Sequence, residues 1–370
     1  MKKICCFLSA MLLVLSSCNS KSEKNIKNED EFAFASLERC STKNGMIYSS
    51  SPSMYIDFDT METSVLCAEP NCLHQNNECA AILIGDSPVL YNDFFYYFVS
   101  TQNVEETGNG KREYKIKSKL CRVALDSSET EDIVTFTDCK PRDCDGWLII
   151  DNVVWFTGDN MNPKEDEYGN ISAANQGGEH YICSIDLDSK KYTNYGSIYD
   201  GDKQFEEASY TSSAQISGYF NSKIMIRYEF AESADTRGQD IRHRYTEIMF
   251  EFDPETKELK QSELPMPSYV DNDTYVYTDP DNLKTYIINN TEKSEYNIPF
   301  DTELYSIYAD NKLFLPDYNI WYDLTDMTEH SMGEYDGFNV IPYNEKYILY
   351  SDNKFVKLTE EELLALDKEK

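Results

Sequence analysis

One unit recurs along this chain and limits most strongly what it can fold into. An apolar strand reaches a turn that contains Asn or Asp, and a second apolar strand follows at once, as in residues 89–99 and 148–156. A third strand that ends in an acidic or polar residue comes next, and usually a fourth. The turn asparagines recur at intervals of 33 to 69 residues and are Asn44, Asn92, Asn152, Asn221, Asn272, Asn311 and Asn344.

Four strands per unit at a period of about 50 residues is typical of a β-propeller, in which each unit is one blade. A single blade cannot bury both of its faces, so the blades must stack around an axis. The sequence therefore predicts an all-β fold, a β-propeller of four-stranded antiparallel blades. Seven blades fit best, and six or eight remain compatible. The alternative architecture is a pair of irregular β-sandwiches.

The two ends of the repeat are unequal. The last unit has three strands before Thr359-Glu360-Glu361-Glu362, a capping-box pattern that predicts a short C-terminal helix. Residues 32–37 are the candidate for the missing outer strand, which would close the ring.

The three longest insertions separate second from third strands in consecutive units two, three and four, at residues 100–118, 157–179 and 231–244. In an antiparallel blade these connections lie at the same end as the crossovers between blades. Long loops that add nothing to a core are usually functional or disordered. We therefore expect one loop-rich face, which serves recognition or carries mobile decoration.

The charge balance excludes some partners. The chain has 34 basic and 66 acidic residues, for a formal net charge of -32. Phosphate-rich partners would be repelled, so we expect no nucleic-acid binding. The sequence contains no G-x-S-x-G, phosphate loop or dinucleotide fingerprint, and we predict no catalytic residue. His180 and His243, near the ends of two insertions, are conceivable general bases, although a solvated surface role is the simpler interpretation.

The N-terminus carries the pattern of an export signal. Lys2 and Lys3 precede the apolar run 4–15, and Leu15-Ser16-Ser17-Cys18 resembles a bacterial lipobox. We predict a signal peptide at 1–17, a lipidated (palmitate-type) Cys18, a flexible tether over 18–30 and the propeller over 31–370. The product would be an extracytoplasmic bacterial lipoprotein, held at the membrane by its lipid alone. A plain secretory signal is the alternative.

Four metal-ligand side chains lie close together on the crossover from the first unit to the second. Cys67, Cys72, His74 and Cys79 follow the spacing C-x4-C-x-H-x4-C, with Pro70 between the first two cysteines. Three thiolates and one imidazole complete a tetrahedral zinc set, and a closed set of this kind is structural.

Disulfides are the rival interpretation of these cysteines, because thiols tend to pair outside the cytoplasm. Cys139 and Cys144 repeat the four-residue spacing, and Cys40, Cys121 and Cys183 are further candidates. The pattern fixes no connectivity, so metal and disulfide both remain open.

With its lipobox, tether and early cysteine cluster, the chain resembles a group of uncharacterised surface lipoproteins of clostridia-type Gram-positive bacteria. Cys67, Pro70, Cys72, His74 and Cys79 carry the specific match, and the rest of the chain matches loosely. The resemblance implies a secreted propeller and brings no known activity. Cys139 and Cys144 lie outside its pattern.

These features favour a lipid-anchored binding or interaction module at the cell surface, with a protein or glycan partner. The predicted recognition face comprises residues 67–79, 100–118, 157–180 and 231–244. The alternative is a glycan-directed enzyme that uses acidic residues in the central mouth of the propeller.

Overall fold

Seven antiparallel sheets follow one another along the chain in the computed structural model. Residues 1–31, which include the predicted signal peptide, Cys18 and the tether, lie outside the described structure. The described residues are 32–35, 39–42, 44–48, 52–67, 72–75, 79–83, 88–107, 111–124, 129–142, 146–159, 180–199, 209–233, 243–271, 273–279, 281–289, 292–298, 306–335, 337–351 and 354–369.

Each sheet is one blade, and the strands of a blade are neighbours in both sequence and space. The first strand, β1 (Phe32–Ala35), is the exception described below. Blades 1 to 3 contain β2 (Arg39–Thr42), β3 (Gly45–Tyr48), β4 (Met54–Asp57), β5 (Thr63–Val65); β6 (Val89–Tyr91), β7 (Phe94–Thr107), β8 (Lys111–Ala124), β9 (Thr130–Phe136); and β10 (Lys140–Pro141), β11 (Trp147–Ile150), β12 (Val153–Asp159), β13 (His180–Asp186), β14 (Lys191–Ser197).

The remaining four blades follow the same order, from the innermost strand to the outermost. They contain β15 (Ser209–Phe220), β16 (Lys223–Ser233), β17 (His243–Phe252), β18 (Leu259–Gln261); β19 (Tyr269–Val270), β20 (Thr274–Asp279), β21 (Lys284–Asn289), β22 (Glu292–Tyr296); β23 (Ile307–Ala309), β24 (Lys312–Leu315), β25 (Ile320–Asp323), β26 (Thr328–Ser331); and β27 (Asn339–Tyr343), β28 (Lys346–Ser351), β29 (Lys354–Thr359). The helices are α1 (Ala80–Leu83) and α2 (Glu360–Ala365), with 3-10 turns at Pro316–Tyr318 and Leu366–Glu369.

Seven hydrophobic clusters of described residues join the blades, one at each boundary. We call such a boundary a seam, so that seam 1/2 lies between blades 1 and 2. The ring closes at seam 7/1, where Met46 and Phe58 of blade 1 pack with Tyr343 and Ile348 of blade 7. Lys357 Nζ also donates to the Phe58 carbonyl at 2.7 Å. The seven-bladed propeller is therefore confirmed, and the sandwich alternative is excluded.

The turn chemistry explains why the repeat was visible in the sequence. Five of the hairpins between first and second strands place two consecutive non-glycine residues at positive φ, which is the type I′ geometry that suits twisted strands. Asn and Asp tolerate this conformation better than other side chains. The residue pairs are Asn92-Asp93, Asp151-Asn152, Asn221-Ser222, Asp310-Asn311 and Asn344-Glu345.

A second device recurs between third and fourth strands. In blade 1, Asp57 Oδ1 accepts the backbone N–H groups of Asp59 at 3.0 Å and Thr60 at 2.8 Å, and Met61 has φ 59°. The same acidic cap, followed four residues later by a positive φ, occurs in blades 3, 4 and 6. The capping residues there are Asp186, Asp253 and Asp323. The acidic ends of the third strands thus terminate each strand and start the turn.

The N-terminal strand does not complete the last blade, so that prediction is wrong. β1 pairs antiparallel with β11, the innermost strand of blade 3, from Phe32 opposite Ile150 to Ala35 opposite Trp147. It also contacts β6 and β2, the innermost strands of blades 2 and 1. An innermost strand has an unpaired edge that four further residues can satisfy. Among the described residues blade 7 has three strands, and seam 7/1 closes through side-chain packing and the bond from Lys357 to the Phe58 carbonyl.

The two ends of the strands define two faces. The turn face carries the hairpins between first and second strands and the acidic caps, and the loop face carries the second-to-third connections and the crossovers. Because β11 runs toward the Asp151-Asn152 turn and β1 is antiparallel to it, Phe32 lies at the turn face.

Two of the predicted long loops are extended β-ribbons. Within 100–118, β7 and β8 remain paired as far as Thr107 opposite Lys111, and within 231–244, β16 and β17 remain paired as far as Ser233 opposite His243. The backbone ladders continue past the flanking strands, so the hairpins lengthen instead of opening. Residues 160–179 and 234–242 lie outside the described structure.

The C-terminal helix was predicted correctly. Thr359 is its N-cap, and the reciprocal bonds with Glu362 form a capping box. Leu363 is buried in seam 6/7, so the helix covers part of the last blade.

Candidate functional site

The crossover from blade 1 to blade 2 brings together the four predicted metal ligands. It leaves β5 at the loop face and carries Cys67, Cys72, His74 and Cys79 before α1 begins. Ser53, in the neighbouring loop, holds both ends of this segment: its N–H donates to the Ala81 carbonyl at 2.8 Å. Its carbonyl accepts the Leu66 N–H at 3.1 Å, so the segment is clamped on both sides by one residue.

The ligand atoms of this Cys3His group all lie within 4.8 Å of one another. The His74 Nδ1 atom is 3.4 Å from Cys79 Sγ, and the His74 N–H donates to Cys72 Sγ at 3.4 Å. His74 has φ 51°, a left-handed conformation that turns the chain and that His adopts more readily than most residues. The backbone thus brings the ring and the sulfurs to one point.

The group is neither fully exposed nor fully enclosed. Cys79 is 3% exposed and packs in seam 1/2, while Cys67 and Cys72 are half-buried against the same cluster. Burial, together with hydrogen bonds to Cys67 and Cys72, raises the pKa of the Cys79 thiol to about 11. Three crowded sulfurs without a cation therefore favour protonation, and a bound cation would reverse that preference.

The donor set fits zinc better than a hard cation. Three sulfurs and one imidazole nitrogen are ligands that zinc prefers, and at Zn–S bonds of about 2.3 Å neighbouring sulfurs in a tetrahedron lie about 3.8 Å apart. The longest separation in the group exceeds that spacing by about 1 Å, which small side-chain rotations remove. No water position is left in a four-ligand set, so the site could support structure and not catalysis.

The other predicted residues lie elsewhere. Cys139 is in seam 2/3, about one blade away from the Cys3His group, and does not join it. Cys18, Pro70 and Cys144 lie outside the described residues. The six cysteines whose side chains the structure describes are all free thiols, namely Cys67, Cys72, Cys79, Cys121, Cys139 and Cys183.

His180 belongs to a hydrogen-bonded series of three residues, Asp159–His180–Ser212, that the sequence did not reveal. His180 Nδ1 lies 2.7 Å from Asp159 Oδ1, and Nε2 lies 2.8 Å from Ser212 Oγ. Burial alone would raise the pKa of Asp159, but the hydrogen bond from His180 and the nearby Arg142 lower it overall. An ionised Asp159 accepts the Nδ1 proton, which leaves Nε2 to accept the Ser212 hydroxyl.

The Asp159–His180–Ser212 series also links two blades. Asp159 and His180 end β12 and begin β13 in blade 3, whereas Ser212 lies on β15 of blade 4. Thr157 Oγ1 donates to the Ala214 carbonyl at 2.7 Å in the same seam. With His180 only 3% exposed, the arrangement acts first as a polar clamp across seam 3/4. Only the spatial approach of β15, which spacing does not encode, could have identified it.

The remaining histidines have other surroundings. His330 Nδ1 is 2.6 Å from Asp367 Oδ2, and its ring stacks on Trp321 at 4.1 Å, which ties the C-terminus to blade 6. The side chain of His243 is not described, although its backbone lies at the end of a ribbon.

Among the residues that the structure describes, none of the helices has both the length and the apolar character needed to cross a membrane.

Comparison with known proteins identifies no family for the chain. No protein-family model and no curated protein matches it. Several solved structures are similar over most of the chain. An oligogalacturonate lyase in complex with manganese is 12% identical and covers 90% of this chain and 78% of its own, with a TM-score of 0.31. A GH43 protein, BlXynB from Bacillus licheniformis, is 8% identical and covers 92% of each chain, with a TM-score of 0.26.

The WD40 domain of SCAP from fission yeast is 8% identical and covers 91% of this chain and 100% of its own, with a TM-score of 0.19. At these TM-scores the similarities support no argument about this chain.

Proposed function

We propose that this protein is a lipid-anchored, extracytoplasmic β-propeller that binds a protein or glycan partner through its loop face. The anchor rests on the lipobox that ends at Cys18 and on the polar tether that follows it.

The observation that carries the binding function is the pair of ribbons on the loop face. β7 and β8 are 14 residues long, whereas the flanking β6 and β9 have 3 and 7 residues. From Thr101 to Thr107 the ribbon pairs only with Lys111 to Lys117 among the described residues, so it projects beyond its blade by about 24 Å. Of the side chains described in this ribbon, Ile116 is buried whereas Thr101 and Lys117 are exposed, so the ribbon supplies surface area that short turns cannot offer.

The ribbon of blade 2 also differs in charge from the rest of the protein. Residues 101–118 contain four basic and three acidic residues, in a chain whose net charge is -32. An acidic protein that keeps one projecting segment near neutrality reduces the repulsion of anionic partners at that point.

Replacing the ribbon of blade 2 by a short turn tests this function. Replacing residues 101–117 by Asn-Gly joins Ser100 to Ser118, which already face each other across the ladder, through a two-residue hairpin turn. In a screen of glycans and surface proteins, we expect ligand affinity to fall at least about tenfold while thermal unfolding stays cooperative. The matched control replaces Asp93 by Asn on the turn face and should keep affinity. A ligand bound equally by both variants would place recognition elsewhere.

We further propose that the Cys3His group holds one structural zinc ion. The purified protein should contain close to one zinc per chain, and His74→Ala should lose it. Peptide mapping that finds Cys67, Cys72 and Cys79 in disulfides would overturn the zinc site in favour of the oxidised alternative.

A second candidate function is hydrolysis, and the Asp159–His180–Ser212 series favours it. A carboxylate, an imidazole and a hydroxyl in this order can activate the serine: Ser212 Oγ attacks an acyl carbon while its proton passes to His180 Nε2. The bond to the leaving group then breaks as His180 returns that proton to it, and water releases the acyl group from Ser212. A fluorophosphonate probe should then label Ser212 in the wild-type protein and fail to label His180→Gln. If the probe does not label the wild-type protein, hydrolysis is refuted and the Asp159–His180–Ser212 series serves only as a clamp between blades. The glycan-directed enzyme with acidic residues in the central mouth stays a prediction.

A further inference from the structure

Seam 2/3 contains two thiols that face each other in the core. Cys139, which follows β9, and Cys183, in the middle of β13, place their sulfur atoms 3.9 Å apart. Their side chains are 1% and 0% exposed. The two residues are 44 positions apart in the chain, so the fold and not the local sequence brings them together.

The backbone around this pair makes room for it. Gly158, on the neighbouring strand β12, lies so close that a Cβ atom there would come within 2.7 Å of Cys139 Sγ and 3.1 Å of its Cβ. No real Cβ tolerates the shorter of these distances, so glycine at this position is what allows Cys139 to lie against the sheet.

The hydroxyl of Tyr192 is a hydrogen-bond partner of both thiols. The Tyr192 hydroxyl lies 3.3 Å from Cys139 Sγ and 3.4 Å from Cys183 Sγ, and it donates its own proton to Asp138 Oδ2 at 3.0 Å. The ring stacks on Phe136 at 4.4 Å, which fixes the hydroxyl in place. Its oxygen can therefore accept from either thiol, and it keeps Asp138 as a partner when the thiols have no protons to give.

We propose that Cys139 and Cys183 are a disulfide site, closed by thiol–disulfide exchange with an external disulfide oxidant. The two thiols lose two protons and two electrons as the S–S bond forms, and the oxidant's own S–S bond breaks to give two thiols. Closure brings the sulfurs from 3.9 Å to about 2.05 Å. The bond would fasten the segment after β9 to the centre of blade 3.

The surroundings also predict slow exchange. Burial raises the pKa of the Cys183 thiol well above its ordinary value, and exchange needs the thiolate and access to it. We expect oxidation to require transient opening of seam 2/3, so low concentrations of urea should accelerate it.

The test is mass mapping of the full-chain protein after equilibration in mixtures of oxidised and reduced glutathione. Free thiols are then alkylated in denaturant before digestion. We expect a peptide that links Cys139 to Cys183 in oxidising mixtures and its loss in Cys139→Ala and Cys183→Ala. Cys121 is the internal control, because it is also buried but its Sγ donates to Asp132 Oδ1 at 3.2 Å. It should stay a free thiol in every mixture and therefore be alkylated.

Two results would overturn the proposal. One is complete alkylation of Cys139 and Cys183 in the wild-type protein under the most oxidising mixture, in urea as well as in buffer. The other is a linkage of either residue to a different cysteine, such as Cys40 or Cys144. Since the wild-type protein alone gives both readings, the result does not depend on whether the alanine variants fold.

Discussion

Two neighbouring seams hold cysteines in very different arrangements. At seam 1/2, three thiols converge with His74 on a crossover at the loop face, and only Cys79 is buried. At seam 2/3, Cys139 and Cys183 face each other in the core beside Tyr192. The first group offers four donors to a cation on a crossover that Ser53 clamps at both ends. The second offers two thiols inside packed strands.

The difference teaches that neighbours, more than residue type, decide what a thiol can do. A divalent cation at seam 2/3 would be buried with too few ligands, which is costly. At seam 1/2 a disulfide would use two of the three sulfurs and leave the third and His74 without a partner. The two proposals thus assign metal chemistry to one seam and redox chemistry to the next.

Metal removal should have the largest effect on the unfolding free energy. If it had none, the contrast between a metal site at seam 1/2 and a thiol pair at seam 2/3 would fail. With free zinc at about a thousand times the dissociation constant, chelation should cost about 4 kcal/mol of unfolding free energy. Urea unfolding with and without a chelator measures it. Cys139→Ala should show the same difference, because the pair in seam 2/3 takes no part. Equal stability of the metal-free and metal-loaded proteins would refute a structural role for the ion.

A larger side chain beside Cys139 should have the next largest effect on stability. Gly158→Ala pushes a methyl group into Cys139, and overpacking of this kind costs about 1–3 kcal/mol. Calorimetry should show a lower melting temperature, with zinc content unchanged. Gly337→Ala meets no neighbouring atom but strains a positive φ that Gly158 does not have, so it measures backbone strain by itself. Unchanged stability of Gly158→Ala would contradict the close contact with Cys139.

Removing one hydroxyl sharpens the comparison further. Tyr192→Phe keeps the ring stacked on Phe136 but deprives Asp138 and both thiols of a partner, for a loss of about 1 kcal/mol. The loss should be smaller in the disulfide form, where the thiol protons are gone. Urea unfolding of both redox forms measures this, and an equal loss in each would mean that the hydroxyl serves Asp138 only.

The smallest effect is expected inside the metal crossover itself. Leu73 is 78% exposed between two ligands, so Leu73→Ser should change stability by less than about 0.5 kcal/mol and leave zinc bound. Loss of metal in this variant would show that Leu73 packs on a partner or on another part of the chain.

Local chemistry made the blades and the metal ligands predictable. Turns such as Asn92-Asp93 and acidic caps such as Asp57 act within a few residues, so their pattern is legible in one sequence. The Cys3His group lies within thirteen consecutive residues and needed no tertiary information.

What escaped prediction depends on distant contacts. β1 was assigned to the wrong blade because four apolar residues can pair with any unpaired edge, and nothing local selects β11. The facing of Cys139 with Cys183 and of His180 with Ser212 likewise depends on how strands approach across a seam. The ribbons were mistaken for loops because their polar residues obscure the strand alternation.

The position of β1 has a mechanical consequence. A pull on the chain before Phe32, directed away from the turn face, acts along the length of β1 and not across it. The four residue pairs that join β1 to β11 then bear the force together, in shear, instead of opening one after another. The load passes first to the inner edge of blade 3 and from there, through its seams, around the closed ring. The ring is thus loaded through an inner strand and not through an outer one, so tension applied at Phe32 need not peel a blade from the outside.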